Sequence, residues 1–278
     1  MLKVYNARMK LRTLGGLELL GARFTQPKPL LLLVYLALEG PKPRRHLAEL
    51  FWTGHRMKSL SMTLTRLRQG AGEVIQEDDK RVWTTLTNDA KALLGALDKS
   101  DWAGASDLYS GAFLEGVVLP DWSSEVEEWV YSTREYLAER VQHALLTLAE
   151  GAAKKGEFRA AAGFAERAYT LPGLGGSDVA ALRRLYPLLC AGDSLLAPEV
   201  RKEAGGYGVT LRLTADKARA RYKGDVAAHP LPLRGTSFIG RDLELTELAT
   251  LLGRPQVSLL RSCSYAEVAA KALSDGLQ

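Results

Sequence analysis

Cysteine is almost missing from this chain: Cys190 and Cys263 are the only two in 278 residues. Two are too few for a disulfide framework or a four-cysteine zinc site, and a reducing cytoplasm is the expected setting. Long apolar runs are missing too. The longest, Leu30 to Leu38, falls far short of the ~20 residues that span a bilayer. No apolar leader stands at the N-terminus, so neither secretion nor membrane insertion is expected. The four histidines, His46, His55, His143 and His229, are scattered and show no HExxH-like spacing. A GxSxG elbow is absent, and Cys190 lies in an apolar helical stretch as a small core residue would. No catalytic constellation emerges; the chain is expected to be no enzyme and to need no cofactor. What is present, 46% hydrophobic and 25% charged residues, suits globular domains and excludes disorder as the main state. The length fits two domains and a fragment of a third.

Charge is distributed unevenly. Residues 1–70 hold thirteen Lys/Arg against Glu18, Glu39 and Glu49, a net +10, whereas residues 71–150 carry a net −10. A basic head ahead of an acidic middle implies two units with different partners, the head being the candidate polyanion binder.

The head reads as a small hairpin, three helices and a second hairpin. Lys10 to Leu20 is short, apolar and broken by Gly15-Gly16, which predicts the first hairpin. Pro29 opens and Gly40-Pro41 ends an apolar helix. A second helix is expected over Arg44 to Trp52 and a third over Met57 to Gln69, together a helix-turn-helix core. On the third, Met57, Leu60, Leu64 and Leu67 form the expected core stripe. The opposite face offers Lys58, Ser59, Met62, Thr65, Arg66 and Gln69, with almost no acid. Such a face suits the DNA major groove. Arg66 would address a guanine edge or a phosphate, Gln69 an adenine edge, and Ser59 and Thr65 phosphates or bases. An ordinary solvated helix would mix Glu with Lys, yet Glu49 is the only acid between Arg44 and Gly72. Arg68, near the apolar stripe, reads as a packing or phosphate residue. Glu73 to Leu86 then predicts a wing whose tip holds Lys80 and Arg81 beside acids, structural first and a minor-groove or backbone contact second. With Arg44, Arg45 and Arg56 these side chains make up the candidate DNA-contacting set.

From Asp89 the chain favours helix. "LLGALDKSDWAGASDLYSGAF" and "LLTLAEGAAKKGEFRAAAGFAERAY" share one layout: a leucine-rich helix, a turn with charge and an aromatic, then a helix with small residues every three or four. This is the tetratricopeptide style, in which alanines let paired helices approach closely. Trp122 and Trp129 flank Glu125, Glu127 and Glu128. The tryptophans are expected to fill a seam between helices, a partner surface being the alternative, and the acids to form a solvated face. Asp178 to Cys190, Pro198 to Ala204, Val209 to Leu213 and Ala215 to Tyr222 read as helix, helix, short strand and helix, with a linker at His229 to Pro232. The expected fold is mostly α: a winged helix-turn-helix with small β-hairpins over 1–95, a tetratricopeptide-like domain over 96–228, and residues 229–278 beyond.

The ordered set "KPLLLLVYLALEGPKPRRHLAELFW", "KSLSMTLTRLRQGAG" and "DWAGASDLYSGAFLEGVVLPDW" resembles the bacterial transcriptional activators that join an OmpR-type winged helix to a bacterial transcriptional activator domain, as in antibiotic-pathway regulators. The resemblance spans residues 10–172. It implies dimeric or tandem binding to direct repeats in double-stranded DNA, recruitment of RNA polymerase and a homodimer. With no phosphoacceptor domain read ahead of the expected winged helix, two-component phosphorylation is not expected. "FIGRDLELTELATLL" (238–252) resembles the segment before the nucleotide-binding core of the large members, but no GxxxxGK[ST] loop follows it. ATP hydrolysis is therefore not expected, and 229–278 reads as a linker and a remnant of that approach. Two alternatives stay open: a helical-repeat scaffold with a merely basic head, and an inactive remnant of a nucleotide-sensing regulator.

Overall fold

The computed structural model describes residues 9–118 and 123–223. Trp122 and the 229–278 segment lie outside them. The chain begins with the expected hairpin: β1 (Lys10–Arg12) and β2 (Glu18–Leu20) pair antiparallel with Leu11 opposite Leu19. Both leucines are buried while their strand neighbours face outward. That alternation gives the strands one core face. α1 (Pro27–Glu39) has proline in its first turn and stops at Gly40, whose φ of 76° suits a residue without Cβ. Every residue from Pro29 to Ala37 is buried, so α1 forms the axis of the head.

β3 (Lys42–Pro43), α2 (Arg44–Phe51) and α3 (Arg56–Ala71) follow with tight connections, then β4 (Gln76–Glu77) and β5 (Arg81–Trp83). β3, β5 and β4 make a three-stranded antiparallel sheet, so the second hairpin is tied to the chain just before α2. Its tip is closed by Asp78, whose Oδ1 accepts the Lys80 and Arg81 amides at 2.8 and 2.6 Å. β6 (Thr87–Asn88) returns alongside β1 in parallel. Several boundaries move: the first helix opens at Pro27 and not at Pro29, the second ends at Phe51, and the third runs from Arg56 to Ala71.

From Asp89 onward the named elements among the described residues are all helices. α4 (Asp89–Asp98) pairs with α5 (Trp102–Leu108), α6 (Ser124–Lys154) with α7 (Phe158–Tyr169), and α8 (Val179–Ala191) with α9 (Ala197–Gly206); α10 (Ala215–Lys223) packs on α8. The turns share one geometry. Ser100, Gly156 and Asp193 all adopt positive φ at the helix ends. In all three, the next amide reaches back to a carbonyl five residues earlier: Asp101 to Ala96 at 2.9 Å, Glu157 to Ala152 at 3.0 Å and Ser194 to Leu189 at 2.9 Å. This closure satisfies the last carbonyls of a helix. Between α6 and α7, Ala149, Ala153, Ala161, Ala165 and Ala168 are fully buried, small enough for close helix approach.

Val209 to Leu213 is not a strand. Among the described residues no sheet edge lies there to receive its ladder bonds, so the segment is irregular, and Leu211 and Leu213 pack half-buried on the core. The position 95/96 falls inside α4, which opens on the head's own polar groups. Asn88 caps α4 through the Ala90 and Lys91 amides, and Asp89 accepts the Thr13 amide at 2.8 Å, the Thr13 hydroxyl at 2.5 Å and the Leu14 amide at 3.1 Å. Head and helices therefore belong to one compact unit with a continuous apolar core. Trp129 lies in that seam, half-buried. Its ring meets Tyr35 and Phe113 edge-on, with centroids 5.0 and 5.9 Å away, and its Nε1–H donates to Glu39. Glu125, Glu127 and Glu128 are exposed.

Candidate nucleic-acid interface

α3 is anchored by Leu60, Thr63, Leu64, Leu67 and Ala71, all buried. Met57 does not join this stripe. It lies in the first turn, before the helix meets its support, and is exposed. The outward face carries Lys58, Met62, Arg66 and Gln69, exposed and spaced about one turn apart, so they run as a stripe along the helix. Ser59 leaves the expected face: it sits next to Leu60, on the flank that turns inward, and is half-buried. Thr65 is exposed but its hydroxyl hydrogen goes to the Ser61 carbonyl at 2.9 Å. Ser61 does the same to Met57 at 3.0 Å. Both side chains consequently present acceptor lone pairs outward, not donors.

The cations divide into held and free. Glu77 on β4 accepts hydrogen bonds from Arg44 and Arg68, drawing the start of α2, the last turns of α3 and the β4–β5 hairpin together. Burial pushes the Glu77 carboxyl up, but Arg68 and Arg44 outweigh it and hold the group below its ordinary value. Arg44 is therefore a clamp residue and not an available contact, and so is Arg68. Arg45 pairs with Glu49 at 2.8 Å, one helical turn on. Arg56, Lys58 and Arg66 on α3, with Lys80 and Arg81 on the hairpin, form no ion pair with any described residue and are exposed. Five cations around one helix and one hairpin thus stay outside the ion pairs, Lys80 and Arg81 lying close enough to Asp78 to lower its carboxyl.

Helix starts differ as well. α1, α2 and α3 have no side-chain cap and no acid in their first turns, and α7 shares this. α4, α5, α6 and α8 are capped by Asn88, Asp101, Ser123 and Asp178, and α9 is uncapped but has Glu199 in its first turn. An uncapped, acid-free helix start leaves amides and the positive end of the dipole open to an anion. Sequence reasoning missed Ser61, Met57 and the clamping role of Glu77. Only Ser61 left a trace, three residues after Lys58 and four before Thr65.

Elsewhere, His46 Nε2 lies 3.1 Å from the Tyr35 hydroxyl, and His143 stands beside Trp102 and Arg184. Among the described residues no three His, Cys, Asp or Glu side chains converge as a metal site would require. No helix among them is long and apolar enough to cross a membrane. No protein-family model matches the chain, and no curated protein is similar to it.

Proposed function

We propose that this chain is a sequence-specific regulator of transcription, an activator, that binds double-stranded DNA with α3 in the major groove and the β4–β5 hairpin as a wing. The observation that carries the reading is the outward face of α3: Lys58, Met62, Arg66 and Gln69 with no acid among them, next to unpaired Lys80 and Arg81. Glu49 and Glu77, the acids that flank α3, are each already bound to arginine, which favours a positive potential along the helix, while Asp78 offsets part of the charge at the hairpin tip. Arg66 and Gln69 have the chemistry for base edges, Lys58 for phosphate. The paired helices from α4 onward are a tetratricopeptide-like module for dimerisation or contact with RNA polymerase, in the manner of the activators the sequence resembles. The setting is the cytoplasm.

Titrating the whole protein with duplex DNA at rising salt tests this. Affinity should fall steeply between about 50 and 200 mM salt, with one selected sequence held more tightly than scrambled duplex. A folded protein without duplex affinity at about 50 mM salt would overturn the reading and favour a scaffold that uses only the repeats.

A further inference from the structure

Well along the chain from α3 lies a second cationic surface that DNA binding does not require. Residues 179–223 hold nine Lys/Arg against four Asp/Glu. Two adjoining cavities open there, of about 570 and 270 Å³. They share Arg183, Pro187 and Arg221, so those three residues form the rim common to both. The larger runs under the irregular Gly208–Leu213 segment and adds Arg212; the smaller adds Lys154.

The walls are apolar. Tyr186 and Pro187 are buried, and Leu211, Leu213 and Tyr222 are half-buried. Pro187 stands inside α8. It has no N–H to give the Arg183 carbonyl, so one bond of the helix ladder is missing at the rim while the helix continues. The single carboxylate in the lining, Glu150, is already engaged by Arg184 at 2.8 Å. Arg183, Arg221, Arg212 and Lys154 are exposed and form no ion pair with a described residue.

We infer that this groove binds a small organic phosphate monoester, its apolar body lying against Tyr186, Pro187 and Leu211 and its phosphate held between Arg183 and Arg221. Size, lining and charge agree on this class. The larger cavity is within the range of small-molecule sites, which combine apolar walls with a few convergent polar groups. Paired guanidinium groups suit the forked geometry of a phosphate. A monoester carries close to two negative charges, which two free arginines and a neighbouring lysine offset better than they would a single carboxylate. The inference stands apart from the DNA reading: the two surfaces share no residue.

The test is calorimetric titration of the whole protein with 1-naphthyl phosphate, 1-naphthoate, 1-naphthol and inorganic phosphate. Saturable binding of 1-naphthyl phosphate is expected, with the other three at least ~10-fold weaker because each lacks the body or the dianionic head. R183Q/R221Q should abolish that binding and leave the melting temperature unchanged, since both side chains are exposed and unpaired. R183K/R221K, which keeps the charge and loses the fork, should weaken it ~10-fold. K99Q, an exposed cation on another turn, should bind as the parent does. No saturable binding of 1-naphthyl phosphate would overturn the inference. So would equal binding of naphthol or inorganic phosphate, or unchanged binding by both arginine variants.

Discussion

Replacing Glu77 by Gln should make the protein less stable and, at the same time, a tighter non-specific DNA binder. The carboxylate holds Arg44 and Arg68 together, with side-chain exposures of 28%, 25% and 42% for the three residues. They lie between a buried and a fully exposed network. An exposed pair contributes about 0.2–1 kcal/mol, so losing two that share one acceptor should cost about 1 kcal/mol, or a melting shift of roughly 2–4 °C for a chain of this size. The variant also releases two guanidinium groups beside the β4–β5 hairpin. Each phosphate newly neutralised adds about 0.9 to the salt slope, so the slope on scrambled duplex should steepen by about one to two units. Thermal melts and fluorescence anisotropy between about 50 and 200 mM salt read both effects. An unchanged melting temperature with an unchanged slope would refute the clamp, and a shallower slope would refute the placement of Arg44 and Arg68 beside bound DNA. The pH dependence has a definite sign. Because the Glu77 carboxyl is held below its ordinary value, its contribution is present above the ordinary glutamate pKa and is lost as pH falls through the lowered one. The parent should therefore lose this increment only in acid, and E77Q should lack that part of the acid sensitivity.

Truncating Arg66 or Gln69 to Ala should leave the melting temperature unchanged, cost ~1–3 kcal/mol at the selected site and relax sequence preference at particular positions; a uniform loss across all duplexes would assign them to phosphate. K58A should instead weaken every duplex alike and lower the salt slope by about one unit. L64A removes a side chain only 1% exposed and should destabilise the protein by ~2–5 kcal/mol through the cavity left behind; an unchanged melting temperature would mean that α3 faces the other way. D89A strips the acceptor from two amides and a hydroxyl and should cost ~2–4 kcal/mol by chemical denaturation, more than removing any one exposed ion pair.

The helices were legible wherever periodicity and punctuation agreed. Pro27 to Gly40 and the repeated turns near Ser100 and Gly156 follow from local chemistry that needs no distant partner. The free face of α3 was legible for the same reason, since one helix sets which residues share a side. Its limits were not. Met57 fits the stripe by angle but has nothing beneath it, and Ser59 falls on the flank that turns inward. The fates of Arg44 and Arg68 depend on Glu77, 33 and 9 residues away, and the hairpin register alone brings it to them. No spacing rule carries that information. Val209 to Leu213 fails differently: its side chains suit a strand, but a strand needs an edge to pair with, and here the core takes the leucines instead.

The joint between head and helices shows why the two are not separable at residue 95. A cut there ends the chain inside α4 and removes Leu97, which is buried. It also removes Phe113, whose backbone bridges to Leu14 and Gly16 and whose ring meets Trp129. Ser123 goes too, and its hydroxyl donates to the Leu50 carbonyl at the end of α2. Arg134 on α6 donates to the Phe113 and Leu114 carbonyls at 2.8 and 3.0 Å, fixing that loop beneath β1. From Trp129 the contacts continue through Glu39 to Lys42 at 3.3 Å, in the strand that leads into α2. The Ser123 and Arg134 bonds are part-buried, so losing one leaves a shielded carbonyl without its partner, whereas the Glu39 links are exposed. The smallest piece that keeps the basic face of α3 in its observed setting therefore runs from the first hairpin into α6.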